Sequence, residues 1–232
     1  MGHPYIFDFP ISLYFNLKTL PFKKAYKLPF RISYQTKLCN LKKGVIDIKG
    51  EIHHNMIHLG AVGVEGVTGF RKNYFRIGNP GECSVTFKGF AKLAQGAMIS
   101  VDHGQLQFGN HFGANDNLYL SCNHKITFDD HTSVGWCVNI MDTDNHTITD
   151  SLGHKNFPEE IYVGKHVWVT SYCHLLKGTY IPDDCVVAYH SLVNKKFEHT
   201  HSLVGGHPAK LLKENITWEN NAIYETPPAD VL

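Results

Sequence analysis

Branched and aromatic apolar residues recur along this chain at a spacing of six. The clearest run consists of Val163, Val169, Leu175, Ile181, Val187 and Val193. A helix repeats about every 3.6 residues and a strand every two, so neither produces this period. A parallel β-helix does, because each short side of a coil sends one apolar side chain towards the axis. The spacing therefore predicts a parallel β-helix rather than a sandwich of short strands, in which period two would dominate.

The same spacing continues towards the N-terminus in shorter sets, and the slips in phase between them indicate insertions at corners. These sets are Phe87, Leu93 and Ile99, then Phe108, Ala114 and Leu120, then Phe128, Val134 and Ile140, with Ile46 and Ile52 as a less regular opening coil. We predict an all-β chain with a capping segment over 1–45, a β-helix over 46–204, and a C-terminal segment and tail over 205–232, the end of which is mobile.

One gap in the period is too long for a corner. Ile140 and Val163 are 23 residues apart, which is not a multiple of six. The chain is therefore expected to leave the β-helix over 141–162 and then to return. A rigid scaffold that holds out a loop is a common way to position catalytic residues.

This excursion carries the sequence Asp-Thr-Asp-Asn-His, which ends at His146. Histidine is the side chain best suited to take a proton near neutral pH. A neighbouring carboxylate can fix its tautomer and orientation, and Asp144 is the first candidate for this role, followed by Asp142. We therefore expect a general base at His146.

Composition narrows the range of partners. The 22 basic and 21 acidic residues nearly balance, so the chain has no overall field that would favour nucleic acid. Its six cysteines show no CxxC spacing, which argues against a zinc finger or a disulfide framework and favours reduced thiols.

The N-terminal segment is rich in aromatic residues and lysine. Lysines and prolines interrupt it between Ile11 and Phe30, so no apolar core of the length that an export signal needs remains. We therefore expect a cytoplasmic protein. The segment is predicted to pack as a cap across one end of the β-helix, and it is also of the kind that rests on an anionic membrane surface at the inner face of the membrane.

These motifs together resemble the hexapeptide-repeat acyltransferases. The resemblance rests on the six-residue repeats, the Asp-Thr-Asp-Asn-His segment, Ile161-Tyr-Val-Gly-Lys-His-Val-Trp168, the Leu176-Lys-Gly178 corner, Gly205-Gly-His-Pro-Ala-Lys210 and Asn215-Ile-Thr-Trp218. Within that family the chain is most similar to the O-acetyltransferases of capsule, exopolysaccharide and lipopolysaccharide assembly.

The resemblance implies a left-handed β-helix, although the general preference for right-handed crossovers would predict the opposite hand. It also implies a homotrimer with active sites between subunits, acetyl-CoA as the acyl donor, a carbohydrate acceptor and direct transfer without an acyl-enzyme. In this scheme His146 removes the proton from a sugar hydroxyl.

The resemblance further assigns residues to the two substrates. Asn115 matches an acceptor-binding asparagine, although a turn asparagine is an equally good interpretation. The positions matched to the CoA site are Trp168, Ser171, Ala188, Tyr189, Lys195, Lys196 and Lys210. Trp168 is equally well interpreted as a side chain that fills a corner of the β-helix. The stretch Ala188-Tyr189-His190 departs from the pattern, because the family commonly has Gly-Ala-Gly or similar small residues there. The three lysines suit the phosphates of CoA.

Two other functions remain open from the sequence. The first is a zinc-dependent hydratase resembling the β-helical carbonic anhydrases, with ligands drawn from His124, His131, His154, His199 and His201. The second is a β-helix that binds or assembles without catalysis. The spacing of these histidines gives no clear facial set, so no metal is expected. The favoured prediction is an acetyl-CoA-dependent O-acetyltransferase acting on a sugar hydroxyl of a surface polysaccharide or its precursor.

Overall fold

The computed structural model describes residues 5–61 and 72–219. These residues form two helices, α1 (Tyr5–Thr19) and α2 (Phe22–Ala25), followed by short strands. The strands are β1 (Phe30–Ile32), β2 (Thr36–Cys39), β3 (Ile46–Ile48), β4 (Ile57–Ala61), β5 (Asn73–Ile77), β6 (Cys83–Phe87), β7 (Ala91–Ala94), β8 (Met98–Val101), β9 (Gly104–Phe108), β10 (Phe112–Ala114), β11 (Tyr119–Cys122), β12 (Lys125–Phe128), β13 (Ser133–Val134), β14 (Asn139–Met141), β15 (Ile161–Val163), β16 (Trp168–Val169), β17 (His174–Leu176), β18 (Tyr180–Ile181), β19 (Val186–Val187), β20 (Leu192–Val193), β21 (Leu203–Gly206) and β22 (Ala209–Lys213).

As far as β20, every third strand joins the same sheet, so three sheets form the sides of a triangular coil. The nine-stranded sheet runs β1-β4-β7-β10-β13-β16-β19-β21-β22, the seven-stranded sheet β2-β5-β8-β11-β14-β17-β20, and the six-stranded sheet β3-β6-β9-β12-β15-β18. All pairings are parallel except that of β21 with β22, which form a closing hairpin. We call the turn from the nine- to the seven-stranded sheet the first corner, that from the seven- to the six-stranded sheet the second, and that back to the nine-stranded sheet the third.

The register confirms the period of six. Val163 pairs with Ile181 in the six-stranded sheet, and Val169 pairs with Val187 in the nine-stranded sheet, so one full coil takes three steps of six residues. These side chains are fully buried along the axis. The fold is the predicted left-handed parallel β-helix.

A column of phenylalanines fills the axis in the N-terminal half. Phe15 of α1 lies 5.0 Å from Phe30, which lies 5.4 Å from Phe87, measured between ring centroids. The column continues through Phe108 to Phe128 at 5.0 and 5.8 Å. Such spacings are favourable for offset or edge-to-face ring pairs. The column therefore joins the helical cap to the coils in one continuous core.

The coils begin earlier than residue 46, the predicted start of the β-helix. Strands β1 and β2 lie within the segment 1–45 and already pair with β4 and β5. Ile46 opens β3, the third side of this first coil. The next coil contains the segment 62–71, which lies outside the described residues, as does the predicted mobile tail beyond Glu219.

The cap satisfies the open edge of the nine-stranded sheet. The side-chain amide of Asn16 donates to the carbonyl of Phe30 at 2.8 Å and accepts from its N–H at 3.1 Å. The hydroxyl of Ser12 accepts from the N–H of Ile32 at 2.9 Å. Unpaired edge strands invite association with other chains, and here polar side chains of α1 take the place of a neighbouring strand.

Candidate functional site

The excursion leaves the β-helix at the second corner. The chain departs after Met141, the last residue of β14, and re-enters at Ile161, the first residue of β15. Between them Thr149 and Lys155 form an antiparallel bridge. Its turn is closed by the carboxylate of Asp150, which accepts the backbone N–H groups of two residues that follow it. The excursion is therefore an ordered hairpin held on a rigid corner.

Local turn chemistry presents His146. Asn145 adopts a left-handed backbone conformation with φ of 57°, which asparagine tolerates better than most residues. Its N–H donates to the hydroxyl of Thr143 at 3.2 Å, and its side-chain carbonyl accepts from Asn123 at 3.1 Å. The motif thus forms a tight turn anchored to the preceding coil, and His146 follows it with an exposed side chain.

The contact made by the imidazole fixes its tautomer. Nδ1 of His146 lies 3.3 Å from the backbone carbonyl oxygen of Asp144. A carbonyl oxygen can only accept a hydrogen bond, so Nδ1 carries the proton and the lone pair lies on Nε2. This is the form of histidine that can remove a proton from a substrate.

The carboxylate of Asp144 anchors the loop. It accepts hydrogen bonds from Nζ of Lys177 and Nδ2 of Asn156, both at 2.5 Å. Lys177 also donates to the carbonyl of Phe157 at 3.2 Å, and Asn156 to the carbonyl of His146 at 2.9 Å. The hydrogen bonds from Lys177 and then Asn156 hold the pKa of Asp144 below its ordinary value. Both arms of the loop are thereby tied around His146.

Asp142 lies at the base of the loop and is fully buried. Its carboxylate accepts the backbone N–H groups of Asn123 at 2.9 Å and His124 at 2.8 Å, and its own carbonyl accepts the N–H of Glu159. Burial raises the pKa of the nearby Cys122 thiol, and the charge of Asp142 adds to this effect. The contacts of Asp142 therefore join the two ends of the excursion to the coil beneath.

A cavity of about 390 Å³ opens beside the returning arm of the loop. It is lined in part by Glu159, Tyr162, Tyr180 and Lys196. The two tyrosine rings are stacked, with centroids 4.9 Å apart. Burial, followed by the charge of Asp129, raises the pKa of Tyr162 to about 12. Aromatic rings beside polar groups in a cavity of this size suit a small organic ligand.

Several residues predicted to bind CoA lie on the first corner, on successive coils. The hydroxyl of Ser171 is buried and accepts the backbone N–H of Trp136 at 3.0 Å. Ala188 follows one coil later, and the exposed ring of Tyr189 lies 5.5 Å from that of Tyr172. These residues form one column, with Ser171 turned into the corner and Tyr189 turned out.

Asn115 also lies on the first corner, in an earlier coil, where its N–H donates to the carbonyl of Val134. Since the excursion that carries His146 lies at the second corner, the two residues lie on different corners of one chain. An acceptor bound by both residues of one chain would therefore have to reach from one corner to the other.

The remaining predicted residues are distributed over the nine-stranded sheet and the second corner. Trp168 is 42 % exposed on β16, with its ring 5.9 Å from that of Trp218. Lys210 is exposed on β22. Lys195 lies over the ring of Phe197 after the second corner, and its neighbour Lys196 borders the cavity described above. The structure thus divides the predicted lysines between two separate surfaces.

The sequence did not assign a role to three residues that organise the site. Lys177 precedes Gly178, whose φ of 77° makes the corner. That Lys-Gly pair could have indicated a lysine held at a corner of the β-helix. Asn156 lies ten residues after His146, a separation for which the sequence gives no contact. Trp218 stacks on His166 at 4.3 Å and donates to its carbonyl at 2.8 Å, which returns the C-terminal segment to the third corner.

The histidines considered as zinc ligands have other neighbours. His154 pairs with Asp150 at 2.9 Å, and His131 stacks on His111 at 5.0 Å. His201 lies 3.7 Å from Asp184. Within residues 5–61 and 72–219, no group of three or more histidine, cysteine, aspartate or glutamate side chains has an arrangement that could hold a metal ion.

Comparison with known proteins gives a likeness in fold. No protein-family model matches the chain, and no curated protein matches it. Among solved structures, the polySia-specific acetyltransferase NeuO is 19 % identical, with 85 % of this chain and 80 % of that one covered at a TM-score of 0.53. The polysialic acid O-acetyltransferase OatWY is also 19 % identical, with coverages of 85 % and 93 % and a TM-score of 0.40.

A hexapeptide-repeat-containing acetyltransferase of Vibrio cholerae O1 biovar eltor, solved with acetyl coenzyme A, is 15 % identical, with coverages of 90 % and 86 % and a TM-score of 0.29. At such identities the likeness concerns the fold. The resemblance drawn from the sequence motifs is confirmed at that level.

Proposed function

We propose that this chain is an acetyl-CoA-dependent O-acetyltransferase that acts on a sugar hydroxyl of a surface polysaccharide or its precursor. The observation that carries the proposal is the contact between Nδ1 of His146 and the carbonyl of Asp144, which leaves the lone pair on Nε2. The chain shares its fold with NeuO, a polySia-specific acetyltransferase, which supports acyl transfer as the reaction class.

The proposed chemistry is direct. Nε2 of His146 takes the proton of the acceptor hydroxyl as its oxygen attacks the thioester carbonyl carbon. The carbon–sulfur bond then breaks, and the imidazolium returns its proton to the CoA thiolate. A free hydroxyl is a weak nucleophile, so a base within hydrogen-bond reach typically contributes about 10²- to 10⁴-fold. The carbonyl of Asp144 contacts the ring and Asn156 holds the backbone carbonyl of His146, so little reorganisation is needed.

The two substrates are assigned to separate surfaces. We assign the acceptor to the exposed side of His146 and to the cavity beside the returning arm of the loop, which Tyr162 and Tyr180 line. The donor is assigned to the first corner, where Tyr189 and Ser171 lie in one column. A homotrimer would bring the first corner of one subunit towards the second corner of the next, so we include that assembly in the proposal.

Calorimetric titration with CoA and acetyl-CoA, with metal content assayed on the same sample, tests the proposed function. We expect saturable binding of both ligands and no stoichiometric zinc. Acetyl transfer to oligosaccharide acceptors should then follow. Zinc bound in place of CoA would instead support a hydratase, and a protein that binds neither would be a non-catalytic β-helix.

A second prediction concerns Lys177, which positions the loop. Lys177→Met removes the ammonium group that holds the carboxylate of Asp144 and the carbonyl of Phe157. Because misplacement of a catalytic group by about 1 Å costs up to about 10²-fold, we expect kcat to fall about tenfold or more, with little change in KM for acetyl-CoA. Steady-state kinetics measures this effect, and Lys177→Arg should restore part of it.

Lys155→Met is the matched control, since Lys155 is an exposed lysine of the same loop. It should leave kcat unchanged. Because the pKa of Asp144 is lowered, its ion pair with Lys177 is fully formed at any pH above the ordinary aspartate pKa. The ion pair is lost only as the pH falls through the lowered pKa. The difference in kcat between the Lys177→Met variant and the wild type should therefore persist at neutral pH. Equal kcat values in the Lys177→Met and Lys155→Met variants would show that Lys177 does not position the site.

A further inference from the structure

The cap helix α1 has an inverted distribution of polar and apolar residues. Its inward face is largely polar: Asp8, Ser12, Asn16 and Thr19 are buried against the first coil. Its outward face is apolar, and together with α2 it exposes Ile6, Phe7, Phe9, Leu13, Tyr14, Leu17, Phe22 and Tyr26. Ile6 and Phe22 are each 73 % exposed. A surface helix of a globular protein normally shows the opposite arrangement.

The inward polar residues are explained by the edge strand, but the outward apolar ones are not. Ser12 and Asn16 bind the backbone of β1, and Asp8 accepts from the N–H of Tyr34 and pairs with Arg31 at 3.0 Å. The terminal caps of solenoid proteins ordinarily need a polar outer face for solubility. A contiguous exposed apolar face of this kind marks an interaction surface.

Charge indicates the kind of partner. Eight of the 22 basic residues and one of the 21 acidic residues lie within the first 45 positions. Lys18, Lys23 and Lys27 are exposed beside the apolar side chains. The one acidic residue, Asp8, is buried and paired with Arg31. Lys24 of α2 pairs with Asp47, whereas Lys18, Lys23 and Lys27 form no ion pair among the residues that the structure describes. The surface therefore combines large apolar side chains with exposed positive charge.

We propose that α1 and α2 form an interfacial anchor that docks the N-terminal end of the β-helix onto an anionic lipid surface. Aromatic and aliphatic side chains would enter the boundary between headgroups and acyl chains, and the lysines would contact the anionic headgroups. A second copy of the chain is a less suitable occupant, because it would bring two lysine-rich faces together. Neither helix is long and apolar enough to cross a bilayer, as far as the described residues go.

This anchor is independent of the acetyltransferase proposal, and vesicle flotation tests it without an activity assay. The full chain is mixed with phosphatidylcholine vesicles or with mixed phosphatidylcholine–phosphatidylglycerol vesicles. We expect it to float with the anionic vesicles and to bind the neutral ones much more weakly. Raising the salt from about 0.1 M to about 1 M, which shortens the Debye length from about 10 to about 3 Å, should reduce the difference.

Two variants separate the apolar and electrostatic contributions. Phe7→Ser/Leu13→Ser/Leu17→Ser should weaken binding at least about tenfold on both vesicle types, because exposed apolar side chains drive insertion. Lys18→Gln/Lys23→Gln/Lys27→Gln should weaken binding to anionic vesicles about a hundredfold and leave binding to neutral vesicles unchanged, since each lysine near an anionic surface contributes about fivefold.

Leu211→Ser/Leu212→Ser is the matched control, because these leucines are exposed on β22 at the other end of the β-helix. It should float like the wild type. The altered side chains are all exposed, so melting temperatures should agree among the variants. Equal flotation of the Phe7/Leu13/Leu17 variant and the wild type would overturn the proposal. A wild-type protein that binds neither kind of vesicle would overturn it too. In either case, a lower sedimentation coefficient for the Phe7/Leu13/Leu17 variant than for the wild type would show that a second copy of the chain covers this face.

Discussion

Replacing His146 by alanine is expected to lower kcat/KM for acetyl transfer by about 10²- to 10⁴-fold while leaving CoA affinity and assembly nearly unchanged. A general base acts in the transition state, so its removal affects turnover far more than binding of the ground state. His146 is exposed and its contact is with a backbone carbonyl of its own turn, so the substitution leaves no buried group unpaired. Steady-state kinetics, CoA calorimetry and sedimentation on the same preparation measure the three quantities.

His154→Ala is the control for this prediction. His154 is a second exposed histidine of the same loop, with Nδ1 paired to Asp150 at 2.9 Å. The His154→Ala variant should retain the kcat of the wild type. Loss of CoA affinity and assembly together with activity in His146→Ala would show that His146 is a structural residue, and equal losses in the two variants would indicate a general effect on the loop.

The repetitive part of this fold could be predicted because each inward position is specified locally. The residues at steps of six from Val163 to Val193 all point to the axis, so the period alone locates their burial. The first coil could not be located in this way. Phe30 and Ile32 point inward, but the strands that follow are separated by unequal turns, and their pairing with β4 depends on contacts distant in sequence.

The site was predictable to the extent that it is local. The loop and His146 follow from the break in the period, whereas the contacts of the two carboxylates do not. The spacing of Asp144 to His146 suggested a carboxylate–imidazole contact, but the carboxylate instead meets Lys177, 33 residues away. The orientation of a side chain depends on which partners the fold brings near it, and one sequence does not specify that.

Asp142→Ala is expected to lower the free energy of unfolding by about 2–5 kcal/mol. The carboxylate is fully buried and accepts two backbone N–H groups, those of Asn123 and His124. Hydrogen bonds to charged groups contribute about 1.5–3 kcal/mol each, and buried donors left without a partner add a desolvation cost. For a domain of this size the melting temperature should fall by about 5–15 °C, as measured by circular dichroism. Activity should fall as well, because the base of the excursion loosens.

Asp150→Ala is the control that separates the effect of burial on stability from the effect of the number of hydrogen bonds. Asp150 also accepts two backbone N–H groups, those of Leu152 and His154, but it lies in the exposed hairpin, where water can replace the carboxylate. The loss of Asp150 should therefore lower the free energy of unfolding far less than the loss of Asp142 does. If Asp142→Ala were as stable as the wild type and yet lost turnover about a hundredfold, Asp142 would act on His146 during catalysis, and the structural role inferred from its contacts would be wrong. A large loss of stability with residual turnover in the folded fraction would instead assign Asp142 to the foundation of the loop, and leave the backbone of Asp144 as the group that sets the tautomer of the base.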